Sequence, residues 1–296
     1  MTAAIPVTII GGYLGAGKTT LINAMLRAAN GVKLAVLVNE FGELPIDEDL
    51  IEAQDDALIS IAGGCICCSF GSDLSAAMVK LAEMSPAPDH IVIETSGVAL
   101  PGAITHTLSI LSGFSVDGIC VLADCAHARA QAQDDYIGDT ITRQFSDANL
   151  LLLTKSDLVS DAVLADMQAW LRTTWPAPGQ VVVRDGKVPL SILLGRFDEA
   201  VANSVTGHHD AAYDSVFLDP SGPVDVQALV TELTRPAHNI LRAKGFVRDH
   251  DGHTRLIQIV GPRADVSVAD THAAPGLVCI GRSGLLARSA IASLVQ

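Results

Sequence analysis

The segment at residues 12–20 constrains the fold of this chain more than any other. It has the sequence Gly-Tyr-Leu-Gly-Ala-Gly-Lys-Thr-Thr, directly follows an apolar run at residues 7–10, and fits the pattern G-x-x-x-x-G-K-[ST]. Residues 19–29 then show helical spacing. Glycines let backbone N–H groups turn inward at the start of a helix, whose positive end completes an anion site. We therefore predict a strand, a phosphate-binding loop and a helix, rather than an ordinary glycine-rich turn.

Composition and charge limit the partners of the chain. Its 296 residues are 49% hydrophobic and 18% charged, which predicts a globular protein of roughly two domains. With 19 Lys and Arg against 33 Asp and Glu, the net charge is −14, so the protein repels phosphate backbones and anionic lipids. We expect neither nucleic acid nor membrane as a partner. The N-terminal sequence lacks the features of a secretory signal, which indicates a cytoplasmic protein.

Hydrophobic periodicity predicts two domains. Short apolar runs typical of strands alternate with helical segments, and these runs are residues 7–10, 34–38, 58–61, 91–93, 119–122 and 150–153. This alternation predicts an α/β fold with a mostly parallel sheet, the P-loop NTPase domain, over residues 1–202. Residues 203–212 are polar and turn-rich, which indicates a linker. A smaller α+β domain is predicted over residues 213–296, with strand-like runs at 215–218, 246–247, 256–260 and 277–280 and helices near 224–233 and from 284.

The apolar run at residues 91–93 leads into a second predicted part of the phosphate site. Glu94 follows it directly, where an acidic side chain enters the shell of a Mg²⁺ ion, and Gly97 lies three residues further on. The backbone amide of Gly97 is placed to sense a γ-phosphate. An ordinary exposed carboxylate at the end of a strand is the alternative interpretation of Glu94.

The apolar run at residues 150–153 leads into Thr154, Lys155 and Asp157, again at the end of a predicted strand, where ligand sites of α/β proteins lie. The Asp157 carboxylate can accept two hydrogen bonds from guanine N1–H and N2–H₂, which adenine does not offer. The base preference therefore depends on Asp157. The alternative is that Asp157 is only the N-cap of the following helix.

Three cysteines, Cys65, Cys67 and Cys68, occupy one short segment after a pair of glycines. Thiolates at this spacing can converge on Zn²⁺ or Co²⁺ in tetrahedral geometry, with one position open for transfer. Thiol redox sensing and simple packing are the alternatives. Glu40 and Glu43 follow the second predicted strand and could complete the shell of either metal, or form a solvated turn.

The other histidine and cysteine positions carry weaker signals. His208 and His209 in the predicted linker are either a low-affinity metal-collecting pair or merely solvated. The remaining cysteines lie in or beside apolar strand patterns and are assigned to packing: Cys120, Cys125 and Cys279.

Taken in order, these motifs resemble the CobW-like family of metal-handling P-loop GTPases. The resemblance rests on residues 12–20, 39–43, 64–68, 94–97, 154–157 and 241–247 and spans essentially the whole chain. It implies a GTPase that binds GTP and Mg²⁺ and carries Zn²⁺ or Co²⁺ as cargo. Turnover is expected to be slow, because no glutamine lies beside Gly97 in the manner of small GTPases. It also implies a client metalloprotein or metal-insertion enzyme as partner, such as a zinc enzyme, nitrile hydratase or the corrinoid cobalt-insertion machinery. The protein is expected to be a monomer or homodimer.

The resemblance also implies a role for each matching residue. Catalytic roles fall to Lys18 and to Glu94, which stands in place of the more usual Walker-B aspartate. The nucleotide-binding residues are Gly12, Gly15, Ala16, Gly17, Lys18, Thr19, Thr20, Gly97, Thr154, Lys155 and Asp157. The metal ligands are Cys65, Cys67 and Cys68, with Glu40 and Glu43 as supplementary ligands or switch residues, and Thr19 for Mg²⁺. Thr154 departs from the asparagine of many GTPases, and Pro45 stands where relatives often have glycine.

We hypothesise that GTP and Mg²⁺ order residues 40–43 and so align the three thiolates around the cargo ion. Hydrolysis then removes the γ-phosphate contact at Gly97 and opens the metal site toward the client. Two other classes of protein fit part of the pattern. A P-loop kinase would need several lid arginines, whereas residues 98–140 contain only Arg129. A thiol-based redox regulator would merely report the nucleotide state.

Overall fold

The computed structural model describes residues 4–29, 31–38, 72–184, 186–195, 208–210, 212–269 and 275–295. The chain divides into two compact units, Met1–Pro176 with Val182–Leu193, and Ala177–Val181 with Leu194–Gln296. None of the described helices has the length and hydropathy needed to cross a membrane.

Six strands form the first sheet: β1 (Ile5–Gly12), β2 (Leu34–Val38), β3 (His90–Glu94), β4 (Phe114–Asp124), β5 (Leu150–Thr154) and β6 (Gly179–Val182). Their order across the sheet is β2-β3-β1-β4-β5-β6. The pairings of β3 with β2 and β1, and of β4 with β1 and β5, are all parallel, which confirms the predicted α/β class. Because parallel strands end at a common edge, the residues that follow β1, β3 and β5 meet at the edge where such sheets bind ligands.

Both faces of this sheet are buried. Along β1, Val7 and Ile9 face one hydrophobic cluster, and the alternating residue Ile10 on the other face is equally inaccessible to solvent. The helices described around the sheet are α1 (Lys18–Ala28), α2 (Ser72–Glu83), α3 (Pro101–Ser109), α4 (Ala128–Ala132), α5 (Gly138–Asp147), α6 (Asp161–Thr174) and α7 (Leu190–Leu194). Helices on both faces explain why these strands are continuous apolar runs rather than alternating ones.

Local sequence explains where several helices begin. Pro101 occupies the first turn of α3, where its missing N–H has no cost. Ser160 caps α6, because its side chain accepts a hydrogen bond from the backbone N–H of Val163 at 3.4 Å. The helix predicted at residues 19–29 is confirmed as α1.

The C-terminal unit contains a second sheet, made of β7 (His208–Asp210), β8 (Tyr213–Leu218), β9 (Ile240–Arg248), β10 (Thr254–Val260), β11 (Arg263–Val268) and β12 (Gly276–Arg282). The order is β11-β10-β9-β12-β8-β7, with antiparallel pairing throughout. The described helices of this unit are α8 (Val226–Leu233) and α9 (Arg288–Ala292). Their apolar residues join the inward residues of the sheet in a separate core, as predicted for an α+β domain.

In this part of the chain the structure corrects two expectations and adds one strand. His208–Asp210 forms a short strand paired with β8, although the sequence predicts a linker there, because sheet pairing overrides a turn-rich composition. The last α-helix begins at Arg288 rather than near residue 284. The edge strand Arg263–Val268 was not predicted, because its last four residues, which include Val266 and Val268, are exposed and it lacks the continuous apolar run that marks the buried strands.

Candidate nucleotide-binding site

The phosphate loop joins β1 to α1 through three glycines with positive φ. Gly12, Gly15 and Gly17 have φ values of 138°, 73° and 98°, a region that side chains disfavour. A Cβ on Gly15 or Gly17 would meet no atom within 4 Å, so backbone conformation, not space, requires glycine there. Gly17 is the N-cap of α1 and supplies no side-chain cap, which leaves the first-turn amides available to an anion.

Lys18 folds back over this loop. Its Nζ atom donates a hydrogen bond to the carbonyl oxygen of Gly12 at 3.1 Å, and the residue is only 9% exposed. A largely buried ammonium is costly unless an acceptor faces it. A phosphate oxygen is the stronger acceptor for this cation, so the lysine is poised to exchange the carbonyl for a phosphate.

Thr19 and Glu94 meet across the sheet edge. The Thr19 hydroxyl donates to Glu94 Oε1 at 3.4 Å, and Glu94 is 4% exposed at the end of β3. A hydroxyl and a carboxylate beside a phosphate loop are the oxygen donors that Mg²⁺ prefers. The donor set therefore fits the ion that the sequence predicts here.

Gly97 lies directly against the phosphate loop. A Cβ on Gly97 would come within 2.6 Å of Leu14 Cδ2 and 2.7 Å of the Leu14 backbone nitrogen. Such contacts leave room only for glycine. The structure thus brings the predicted γ-phosphate sensor next to the loop that would hold the phosphates.

Thr154 contacts the loop rather than open solvent. Its hydroxyl lies 2.8 Å from the carbonyl oxygen of Ala16 and donates to it, while Ala123 O lies at 3.4 Å. The residue is 4% exposed. Sequence analysis placed Thr154 among nucleotide contacts, and the hydroxyl shows a further role in holding the phosphate loop against β5.

Lys155 has φ 55°, an unusual left-handed conformation, and its Nζ atom lies 2.8 Å from Asp124 Oδ2. Burial alone raises the pKa of Asp124, but hydrogen bonds from Lys155, the Ala126 backbone N–H and His127 outweigh it and lower the pKa below its ordinary value. Asp124 was not predicted as a site residue. The sequence feature that could have identified it is an acidic residue at the end of the apolar strand β4. The pair fixes the turn that precedes Asp157.

Asp157 is exposed and lies in a 3-10 helix, Ser156–Leu158. The alternative that Asp157 caps the following helix is wrong, because Ser160 caps α6. Its exposed carboxylate is accessible to a ligand near the loops that follow β1 and β5. Thr20, the last predicted contact of the phosphate loop, is also exposed.

The buried cysteines behave as packing residues. Cys120, Cys125 and Cys279 are each at most 5% exposed. Burial raises the pKa of Cys125 to about 11, aided by the negative charges of Asp124 and Asp157, and burial raises that of Cys279 to about 12. The Cys125 and Cys279 thiols are therefore protonated at neutral pH and poorly suited to bind a metal.

The predicted cargo ligands lie outside the described residues: Cys65, Cys67, Cys68, Glu40 and Glu43. The described part of the site thus consists of the phosphate loop, Glu94, Gly97 and the residues after β5.

Comparison with known proteins assigns the chain to a family. Residues 6–180 match the family model of the CobW/HypB/UreG nucleotide-binding domain. Residues 213–296 match that of the cobalamin synthesis protein cobW C-terminal domain. The chain belongs to the CobW family. The resemblance noted in the motifs is confirmed, as is a P-loop NTPase fold followed by a smaller C-terminal domain.

Curated relatives of this CobW-family chain carry metal-handling names. It is 32% identical to the zinc chaperone CobW of Sinorhizobium sp, covering 88% of this chain and 86% of the relative. The zinc chaperone CobW of Pseudomonas aeruginosa is also 32% identical, with 99% and 91% covered. Zinc chaperone YjiA of Escherichia coli is 31% identical, with 82% and 81% covered. Among solved structures, the Zn(II)-bound YjiA GTPase from E. coli is 26% identical, covers 99% of this chain and 98% of that one, and has a TM-score of 0.45.

The arginine that a kinase lid would need is engaged elsewhere in this CobW-family fold. Arg129 Nη1 lies 2.7 Å from Asp166 Oδ2, and the guanidinium lies 5.1 Å from the centre of the Trp170 ring. Both partners belong to α6. The described structure therefore offers no support for the kinase alternative at Arg129.

Within the described ranges, metal-ligand side chains gather in the hairpin between β9 and β10, where Asp249, Asp251 and His253 lie together. Asp249 accepts hydrogen bonds from the backbone N–H groups of Asp251 at 3.1 Å and His253 at 2.8 Å. Arg255 Nε, at 2.6 Å, holds the pKa of Asp249 below its ordinary value. The Asp249 carboxylate shapes the turn and is already paired with the Arg255 guanidinium, so we do not assign a metal site to this hairpin.

Proposed function

We propose that this protein is a GTP-hydrolysing metallochaperone that binds Zn²⁺ or Co²⁺ through Cys65, Cys67 and Cys68 and delivers the ion to a client metalloprotein in a nucleotide-dependent way. The observation that best supports nucleotide binding is that Lys18, Thr19 and Glu94 lie together at one edge of the sheet. The zinc chaperone names of relatives that match over most of their length support the cargo. The proposed domains are residues 1–202 and 213–296, joined by a segment at 203–212 that includes the short strand β7.

Residues of the phosphate loop bind and orient the triphosphate. Lys18 exchanges its contact with the Gly12 carbonyl for the β- and γ-phosphates, and the loop amides surround the remaining oxygens. Thr19 and Glu94 hold Mg²⁺, which when bound neutralises charge that develops on the phosphates. The Gly97 amide contacts the γ-phosphate, and Asp157 recognises guanine.

Nucleotide and cargo are coupled in this proposal. Glu40 and Glu43 lie between the phosphate loop and the three cysteines in the sequence, and they act as supplementary ligands or switch residues. Loss of the γ-phosphate contact at Gly97 releases this segment and weakens cargo binding. Linkage requires that Zn²⁺ and GTP raise each other's affinity by the same factor.

The test is the Zn²⁺ or Co²⁺ affinity of the full chain with GDP and with a non-hydrolysable GTP analogue. Tighter binding with the analogue, lost in Cys67→Ser, supports the proposal. The double variant Asp251→Asn with His253→Ala controls for adventitious binding at the hairpin and should match the natural chain. Equal affinities in both nucleotide states would remove the coupling. An unchanged affinity in Cys67→Ser would remove Cys67 from the site, and loss of only an oxidant response would favour a redox regulator.

A further inference from the structure

A glutamine on α5 is buried against the segment that follows β3. Gln144 is fully buried, and its Nε2 atom lies 3.0 Å from the carbonyl oxygen of Gly97 and 2.8 Å from that of Ala99. Carbonyl oxygens only accept hydrogen bonds, so the amide nitrogen must face them and both of its hydrogens are used. Gln144 thus holds Gly97, the residue proposed to sense the γ-phosphate. Gln144 lies on a helix that is 45 or more positions away in the sequence.

The same face of α5 holds the far end of this segment. Asp147, one turn after Gln144, accepts a hydrogen bond from the Gly102 backbone N–H at 2.8 Å. A Cβ on Gly102 would lie 2.6 Å from Asp147 Oδ2, so the helix and the segment are in close contact. Residues 97–102 are therefore anchored to α5 at both ends.

The opposite side of the segment abuts the phosphate loop. Gly97 contacts Leu14 so closely that a Cβ on it would come within 2.7 Å of the Leu14 backbone nitrogen. Gly11, at the end of β1, likewise leaves room for Pro101, whose Cγ would lie 2.5 Å from a Cβ there. Any displacement of this segment from α5 therefore changes the spacing between Gly97 and the loop.

We propose that Gln144 is a positioning residue that sets the Gly97 amide at the distance where it binds a γ-phosphate, and that it thereby determines the preference for nucleoside triphosphate over diphosphate. The inference rests on the proposed function, since it assumes a nucleotide in the phosphate loop. Hydrogen bonds weaken steeply when distance or angle departs from the optimum. A diphosphate has no γ-phosphate to meet Gly97, so its affinity does not depend on Gln144.

The geometry suggests two informative substitutions. Gln144→Leu removes both donors and leaves two carbonyl groups without them. It also removes Oε1, a buried acceptor that has no hydrogen-bond partner among the described residues, which limits the loss of stability. Gln144→Glu keeps the shape, but its carboxylate cannot donate, and only its protonated form restores one hydrogen bond to the segment.

The experiment measures dissociation constants of GDP and of a non-hydrolysable GTP analogue, with Mg²⁺, for the full chain. Gln144→Leu is expected to raise the dissociation constant of the analogue by about tenfold, while that of GDP changes by less than about twofold. A change of about tenfold is the size expected when a buried hydrogen bond is lost. Gln144→Glu should lose analogue affinity at neutral pH and regain part of it as the pH falls. Because protonation would also relieve a general folding defect, the deciding readout is the ratio of the two dissociation constants. A positioning role predicts that the analogue recovers while GDP affinity stays unchanged at each pH, whereas a structural defect would move both together.

Phe145→Leu is the matched control, since Phe145 is buried on the same helix and packs edge-on against Trp175 with ring centres 5.1 Å apart. It should lower the melting temperature and leave the ratio of the two dissociation constants unchanged. If Gln144→Leu does not fold, Gln144→Glu decides the question through its pH dependence. If the ratio of the two dissociation constants is unchanged in the folded Gln144 variants, the role proposed for Gln144 is wrong, but the proposed function is unaffected. A natural chain that binds neither nucleotide would overturn the proposed function, and this inference with it.

Discussion

The Thr154 hydroxyl donates a 2.8 Å hydrogen bond to the carbonyl oxygen of Ala16, and so ties the end of β5 to the phosphate loop. The two residues are 138 positions apart in the chain. Thr154 stands where many GTPases carry asparagine, and its buried hydroxyl holds the phosphate loop against β5.

Removal of that hydroxyl should destabilise the loop. Thr154→Val leaves the Ala16 carbonyl without this donor and should lower the free energy of unfolding by about 1–3 kcal/mol. It should weaken GDP and GTP binding together, because the whole loop is affected. Thr173→Val is the control, since the hydroxyl of exposed Thr173 donates within α6 to the backbone carbonyl of Ala169, and its change should stay within about 0.5 kcal/mol. Urea unfolding and calorimetry measure both effects, and equal losses in the two variants would contradict this role.

Glu94 should be needed for Mg²⁺-dependent hydrolysis. Glu94→Gln keeps the shape but removes the negative charge beside Thr19, and is expected to lower apparent Mg²⁺ affinity by about 10- to 100-fold. Titration of GTP hydrolysis against Mg²⁺ measures this. Glu83→Gln makes the same charge change on the exposed end of α2 and should have no effect. Identical Mg²⁺ curves for the natural chain and Glu94→Gln would remove Glu94 from the metal site.

Base preference should depend on Asp157. Asp157→Ala removes the acceptor proposed for guanine N1–H and N2–H₂, so GTP affinity should fall by about tenfold or more while ATP affinity stays unchanged. The matched control is Asp135→Ala, another exposed aspartate outside the site. Competition between GTP and ATP for a fluorescent nucleotide measures the ratio. A GTP preference that survives in Asp157→Ala would assign base recognition to other residues.

The ion pair between Lys155 and Asp124 should add stability that depends on pH. The pKa of Asp124 is lower in the folded protein than in the unfolded chain, so its contribution is full above the ordinary aspartate value of about 3.9 and is lost as the pH falls through the folded value. Lys155→Met should therefore cost stability at pH 6, by about 1 kcal/mol or less because Lys155 is partly exposed. The difference from the natural chain should shrink in acid. Urea unfolding between about pH 6 and pH 3 checks the sign, and a difference that grows in acid would contradict it.

Thiol labelling should separate the buried cysteines from the proposed metal ligands. Cys120, Cys125 and Cys279 are buried, and burial holds the pKa of Cys125 at about 11 and that of Cys279 at about 12. Iodoacetamide near pH 8 should therefore modify at most three of the six cysteines in the folded chain and all six in urea. Mass spectrometry counts the adducts. Labelling of Cys125 or Cys279 in the folded protein would contradict their assignment to packing.

The described nucleotide site could be predicted largely because its parts are local in sequence. The main phosphate-loop residues lie within five consecutive positions, 15–19. The positive φ values of Gly15 and Gly17 follow from this short motif. Glu94 could be placed because an acidic residue at the end of a buried parallel strand must lie at the common edge of the sheet. The cargo ligands were predicted from the cysteine spacing and the family resemblance, and that prediction stays untested.

The amino-acid sequence by itself determined the alternation of strands and helices, the phosphate loop and the family, since each depends on residue types at short spacing. Tertiary structure alone decided that Gln144 holds Gly97, that Thr154 holds Ala16 and that Asp124 pairs with Lys155. A glutamine or threonine in a sequence does not reveal its hydrogen-bond partner. Partners so far apart in the chain are selected only when the core packs and buried donors must find acceptors.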